Sequence, residues 1–118
     1  MVKIEQLAEA AVKGESLLTR NLTQDFFCEH PRLNEIPFPA TNDPIILAAS
    51  AALIELFAAR LQQAPPPWAK KIGPVAEPIF LLKAAATMKH LRALCETESP
   101  EPLRKRGFYA PPNYLEFV

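Results

Sequence analysis

Glycine is almost absent from this chain: Gly14, Gly73 and Gly107 are the only three in 118 residues. Scattered singly, they cannot build a phosphate-cradling loop or a Gly-x-Ser-x-Gly nucleophile elbow. They also supply few positive-φ turns, which argues against a β-meander. Cysteine is scarce too, and Cys28 and Cys95 are too few for a disulfide framework. Net charge is missing altogether, with 13 Lys+Arg against 13 Asp+Glu. That balance lacks the basic excess of a typical nucleic-acid-binding domain and the charge imbalance of a disordered segment. No apolar run reaches the roughly 20 residues that span a bilayer. The longest, Ile45 to Ile54, is broken by Glu55 and Arg60. Glu5 and Glu9 interrupt the first turns, so no secretory leader is read. The chain is expected to be cytoplasmic, with reduced thiols and no membrane contact.

The zero charge conceals a division. Residues 1–63 carry 5 basic and 8 acidic side chains, and residues 64–118 carry 8 basic and 5 acidic, so the halves stand at −3 and +3. Such an offset is too small to steer anything far beyond a Debye length of roughly 8 Å. The simpler reading is that the halves neutralise each other within one fold; the alternative is that they help orient an acidic partner or two copies head to tail.

What the chain does have is proline, 13 of them, punctuating runs with helical periodicity. Ile4, Leu7, Ala8, Ala11 and Val12 share one face of a helix over 2–13 that Gly14 ends. A second helix runs from Glu15 to Glu29 with Leu18, Leu22 and Phe26 as its stripe and Leu17 and Phe27 beside them, stopped by His30-Pro31. Residues 31–43 form a proline-rich connector in which Ile36 and Phe38 are expected to lie against the core. Asp43-Pro44 reads as an N-cap with proline at the first helical position. From Pro44 to Gln63 the sequence is apolar nearly all round, which belongs at the centre of a bundle or in a subunit interface.

Pro65-Pro66-Pro67 ends that helix, and a short turn follows over Trp68–Ile72. Pro78 is expected to open a last long helix to Glu96, with Leu81, Ala84, Met88, Leu91 and Cys95 as a seam. Ser99-Pro100 starts a short helix through Arg106 that Gly107 stops. The fold class is therefore all-α: one domain over 1–118, about four longer helices with short helical turns, and an extended aromatic and proline-rich tail over 107–118.

Chemistry-bearing constellations are thin. Cys28, His30, His90 and Cys95 do not supply the two close-spaced ligand pairs of a structural zinc site, so neither metal nor cofactor is expected. Glu55 stands out in an apolar helix, where burial would raise its pKa, although pairing with Arg60 or Arg92 is the simpler fate. The basic turn Arg104-Lys105-Arg106 with Tyr109 and Tyr114 is a candidate nucleic-acid patch, or a solvated helix C-terminus.

The tail holds Phe108, Tyr109, Tyr114 and Phe117, four of the ten aromatics. The reading that follows is a non-catalytic protein–protein interaction module: an adaptor, an inhibitor or antitoxin-like neutraliser, or a small subunit of an assembly. Its partner-binding residues are expected to be Trp68, Arg104, Arg106, Phe108, Tyr109, Tyr114 and Phe117. Self-association as a homo-oligomer, most simply a dimer, is also expected. The alternative is a nucleic-acid-binding accessory protein using Arg104–Arg106. A weaker one is a small metal-independent helical enzyme using Glu55 and His90.

Overall fold

A helix with no polar face has to be surrounded, and the other elements are arranged around this one. The computed structural model describes residues 2–115. Five helices run in chain order: α1 (Ile4–Val12), α2 (Ser16–Glu29), α3 (Pro44–Leu61), α4 (Lys89–Glu98) and α5 (Glu101–Arg104). Single 3₁₀ turns lie at Leu33–Glu35, Pro67–Lys71 and Lys83–Ala86. The molecule is a mostly helical globule in which α3 packs against α1, α5 and the Pro67–Lys71 turn. Ala48 through Ile54 and Leu56 through Ala58 are all buried. By length and composition α3 alone among the described helices could cross a membrane, but 56% of that window is buried inside this fold.

The ends of α3 are set by its sequence. The Asp43 carboxylate accepts from the Ile45 amide at 2.9 Å with Pro44 at the first helical position, while Gln62 adopts a left-handed conformation that closes the C-terminus. The alanines between its large side chains let α1 approach closely. Ile4, Leu7, Ala8 and Ala11 of α1 are buried as their spacing predicts.

Two expectations are revised by the structure. The stripe on α2 is turned: Thr19, Thr23 and Phe26 are buried, whereas Leu17 is 74% and Leu18 44% exposed. The threonines can face α1 because each hydroxyl is satisfied within the helix. Thr19 donates to the Glu15 carbonyl at 2.8 Å, and Thr23 to that of Thr19 at 2.7 Å.

The long helix expected from Pro78 is broken into the strand β1 (Ile79–Phe80), the Lys83–Ala86 turn and α4. β1 pairs in parallel with β2 (Phe108–Tyr109), Ile79 opposite Phe108 and Phe80 opposite Tyr109. The tail competes successfully for the backbone of residues 79–81. The amides of Ile79 and Leu81 bond to the carbonyls of Gly107 and Tyr109, and upstream the Val75 amide bonds to that of Arg106. Helix α4 starts only after that pairing ends, so Met88 is exposed rather than part of a seam.

Gly107 makes the turn into β2 possible. Its φ is +89°, and a Cβ there would meet the Val75 side chain at 2.8 Å. Beyond it, Phe108, Ala110 and Tyr114 are buried, so the tail packs on its own chain. Phe117 lies outside the described residues.

Leu53 is 1% exposed at the centre of α3. Leu53→Ala is expected to cost about 2–5 kcal/mol in urea denaturation. A loss below about 0.5 kcal/mol would place the core elsewhere.

Candidate functional site

The residues singled out from sequence do not form one surface. Arg106 is 4% exposed, and its guanidinium is fully occupied within the chain. One terminal nitrogen donates to Glu55, the other to the Ala69 carbonyl at 2.7 Å, and Nε to the Ile72 carbonyl at 3.2 Å. Lys105 Nζ lies 3.2 Å from the same Glu55 oxygen. Glu55 is thus held by Arg106 and Lys105, not by Arg60 or Arg92. Of the basic turn, only Arg104 keeps its charge away from Glu55, donating to the Thr97 carbonyl at 3.4 Å. Phe108 and Tyr114 are buried, so with Arg106 they hold the fold together and are not available to a partner.

Tyr109 is half-buried, with its ring 5.5 Å from that of Phe80, over which the Arg92 guanidinium sits at 5.0 Å. His90 is exposed on α4 and shares no cleft with Glu55 among those described below. Cys95 is fully buried, and that burial, with Glu96 nearby, pushes its thiol pKa up, away from nucleophilic use. Among the described residues no three His, Cys, Asp or Glu side chains stand close enough together to hold a metal.

The larger of two clefts is lined neither by Glu55 nor by the basic turn. A cleft of about 500 Å³ opens between the start of α1, the end of α2 and residues 31–40 of the connector. Its walls are apolar, from Ile4, Phe26, Ile36, Pro37 and Phe38, and Glu5, Glu29, His30 and Arg32 also line it. The wall made by the connector is held in place by side chains from distant parts of the chain. Gln63 accepts from the Leu33 amide at 3.0 Å and donates to the Pro31 carbonyl at 3.1 Å. Trp68 Nε1 donates to the Ile36 carbonyl at 2.8 Å, and Glu5 accepts from the Ala40 amide at 3.1 Å. The opposite wall is closed by Glu29, which accepts from the Val2 amide at 2.6 Å. His30 packs at a tilt against Phe26, ring centroids 4.7 Å apart, and donates from Nε2 to the Val2 carbonyl at 2.9 Å.

Of the partner-binding residues named from sequence, only Trp68 contributes here, as a support: it fixes Ile36 and meets Phe38 edge-on at 5.8 Å. The signal that was present was the Ile36-Pro37-Phe38-Pro39 alternation. Ile36 and Pro39 do turn inward, but Phe38 turns out and stays 56% exposed, which corrects the expectation that it lies against the core.

A second cleft of about 360 Å³ continues from the first, sharing Glu5 and Ala40, and adds Glu9, Lys13 and Asp43. Lys13 pairs with Glu9 at 2.7 Å, and that hydrogen bond raises its pKa above the ordinary value. Together the two clefts form a trough along α1 lined by Glu5, Glu9, Glu29, Glu35 and Asp43 against Lys3, Lys13 and Arg32. Set against known protein families, curated proteins and solved structures, the chain matches none of them.

Two substitutions check this assignment of roles. Arg106→Ala leaves Glu55 with Lys105 alone and the carbonyls of Ala69 and Ile72 without their donor, and is expected to cost about 3–5 kcal/mol. The paired change Arg106→Met with Glu55→Leu is expected to recover only part of that loss in the same denaturation experiment, since it removes the buried carboxylate but leaves the same two carbonyls without their donor.

The Tyr114 hydroxyl is buried with no hydrogen-bond partner among the described residues, so Tyr114→Phe is expected to leave stability unchanged or raise it by up to about 1 kcal/mol. Burial also holds the Tyr114 phenol above its ordinary pKa of 10.0. The resulting stabilisation is complete below that value and is lost as pH rises toward the folded-state pKa. In an alkaline titration, one tyrosine is expected to ionise only together with loss of the helical circular dichroism.

Proposed function

We propose that this chain is a non-catalytic protein-interaction module whose docking surface is the trough along α1. The observation that carries the reading is the pre-built wall at residues 31–40. Gln63, Trp68 and Glu5 hold a proline-rich segment against the fold while Phe38 remains exposed above an apolar cleft. A wall already fixed loses little conformational entropy when a partner docks, and an exposed aromatic beside a pocket is a usual anchor of such contacts. The nucleic-acid reading has less support, because Lys105 and Arg106 are both committed to Glu55. The enzymatic reading has less still, because Glu55 is an ion-pair partner and His90 stands apart from it.

Phe38→Ser tests the proposal. The change removes an exposed ring whose only described ring contact is with Trp68, so melting temperature and circular dichroism should be nearly unchanged. Co-purification from native lysate should yield a stoichiometric protein partner, or a second copy of the chain, with the wild type and markedly less with Phe38→Ser. Equal recovery with both forms, or no partner with either, would overturn the reading.

A further inference from the structure

The trough along α1 changes chemistry along its length. Its first cleft is walled by Ile4, Phe26 and Ile36, with Phe38 exposed beside them. Its second carries Glu5, Glu9 and Asp43 against a single cation, Lys13. Across both clefts five carboxylates face three cations. Lys13 is taken by Glu9 at 2.7 Å, and Arg32 lies 3.6 Å from Glu35. That leaves Glu5, Glu29 and Asp43 with no cationic partner among the described residues, and Lys3 as the one cation of the lining without an ion pair there. Glu5 gives Oε2 to the Ala40 amide and Asp43 gives Oδ1 to the Ile45 amide, so each has its second oxygen to offer. Glu5 lines both clefts and therefore stands where the apolar part of the trough gives way to the acidic part.

We propose that the trough takes a segment of a partner protein in which an apolar side chain is followed closely by arginine or lysine. The apolar side chain enters the first cleft beside Phe38, and the cation reaches Glu5 and Asp43 in the second. This rests on the interaction reading above and supplies the chemistry of the partner. An acidic segment would add to a surplus of its own sign, and a wholly apolar one would strip water from carboxylates without replacing it. Arginine suits the site best, because its planar fork donates to more than one carboxylate oxygen at once. The connector wall favours recognition through side chains, since Pro37 and Pro39 have no amide to donate to an added strand.

The test titrates the full chain with capped hexapeptides in which two leucines and then two arginines stand between terminal alanines. Two control peptides carry glutamine or glutamate in place of arginine. Trp68 is the only tryptophan and meets Phe38 edge-on at 5.8 Å, so its emission reports a side chain seated there. The arginine peptide should bind with a Kd below about 1 mM and shift that emission. The glutamine peptide should bind several-fold more weakly, and the glutamate peptide more weakly still. Salt at about 1 M should remove the advantage of arginine over glutamine, as the Debye length falls to about 3 Å. Glu5→Gln and Asp43→Asn remove charge but keep an acceptor for the Ala40 and Ile45 amides. Each should weaken the arginine peptide by roughly 1.5- to 5-fold, the range of an exposed ion pair, and leave the glutamine peptide unchanged. Phe38→Ser should weaken both.

Equal binding of the arginine and glutamine peptides would overturn the cationic occupant, as would Glu5→Gln and Asp43→Asn variants that both bind like the wild type. If that binding still depends on Phe38, the interaction reading stands. Self-association of the wild type without peptide, seen by sedimentation and abolished by Phe38→Ser, would overturn the proposal in favour of a second copy. Absence of any peptide binding at about 1 mM would overturn it as well, and partner capture that depends on Phe38 would then show that only the chemistry assigned to the partner had failed.

Discussion

The ion pair between Glu55 and Arg106 is the constraint on which the second half of the molecule depends. Glu55 is the one acidic residue on α3, a helix made mostly of alanine and large apolar side chains, so its charge needs a partner wherever that face is covered. Arg106 supplies it, and with its remaining nitrogens it gathers the carbonyls of Ala69 and Ile72. One guanidinium thereby ties α3, the Pro67–Lys71 turn and the end of α5 together. A lysine could not make the same connection, since it lacks the planar fork that reaches three acceptors in fixed directions.

Once Arg106 is fixed, the course of the tail follows. Gly107 turns the chain with a positive φ, and Phe108 and Tyr109 lie beside Ile79 and Phe80 as a parallel pair. Parallel strands require a crossover, and α4 with α5 provides it. Ser99 locks the crossover to the tail: its hydroxyl accepts from the Ala110 amide at 2.9 Å and lies against the carbonyls of Cys95 and Ala110. Arg60 reaches the tail from α3 through the carbonyls of Pro112 and Tyr114. The aromatic tail thus completes the core, and α4, spanning between strands, keeps most of its surface in solvent.

The first half uses a different device. Among the described residues of α1, α2 and the connector no charged side chain is buried; α1 lies against α3 through small and aliphatic residues, and the connector is held by polar side chains that bond its backbone. Proline suits that arrangement. It removes amide donors that would otherwise need partners and restricts the backbone before packing begins. The trough along α1 lies where the connector, anchored by buried Leu33 and Ile36, passes the start of α1 and the end of α2.

How much was legible beforehand depends on the range of the forces involved. The start of α3 at Asp43-Pro44, the stops at Gly14, His30-Pro31 and Gly107, the buried face of α1 and the central place of α3 all follow from local rules. Capping, φ restriction and 3.6-residue periodicity act within a few positions along the chain. The sequence by itself therefore determined a mainly helical fold centred on Pro44–Leu61. Tertiary structure decided the rest. It paired Glu55 with Arg106, 51 residues away, where nearer arginines offered the same charge. It turned α2 so that threonines face inward, replaced the first turns of the expected Pro78 helix with a strand, and sent Phe38 outward beside an inward Ile36. Each of these outcomes compares one long-range partner with another, and periodicity holds no information about which partner arrives. The same reason separates the residues named from sequence from the trough. Exposed aromatics and arginines look alike in a sequence whether they seal a core or wait for a partner, and only the packing around them distinguishes the two.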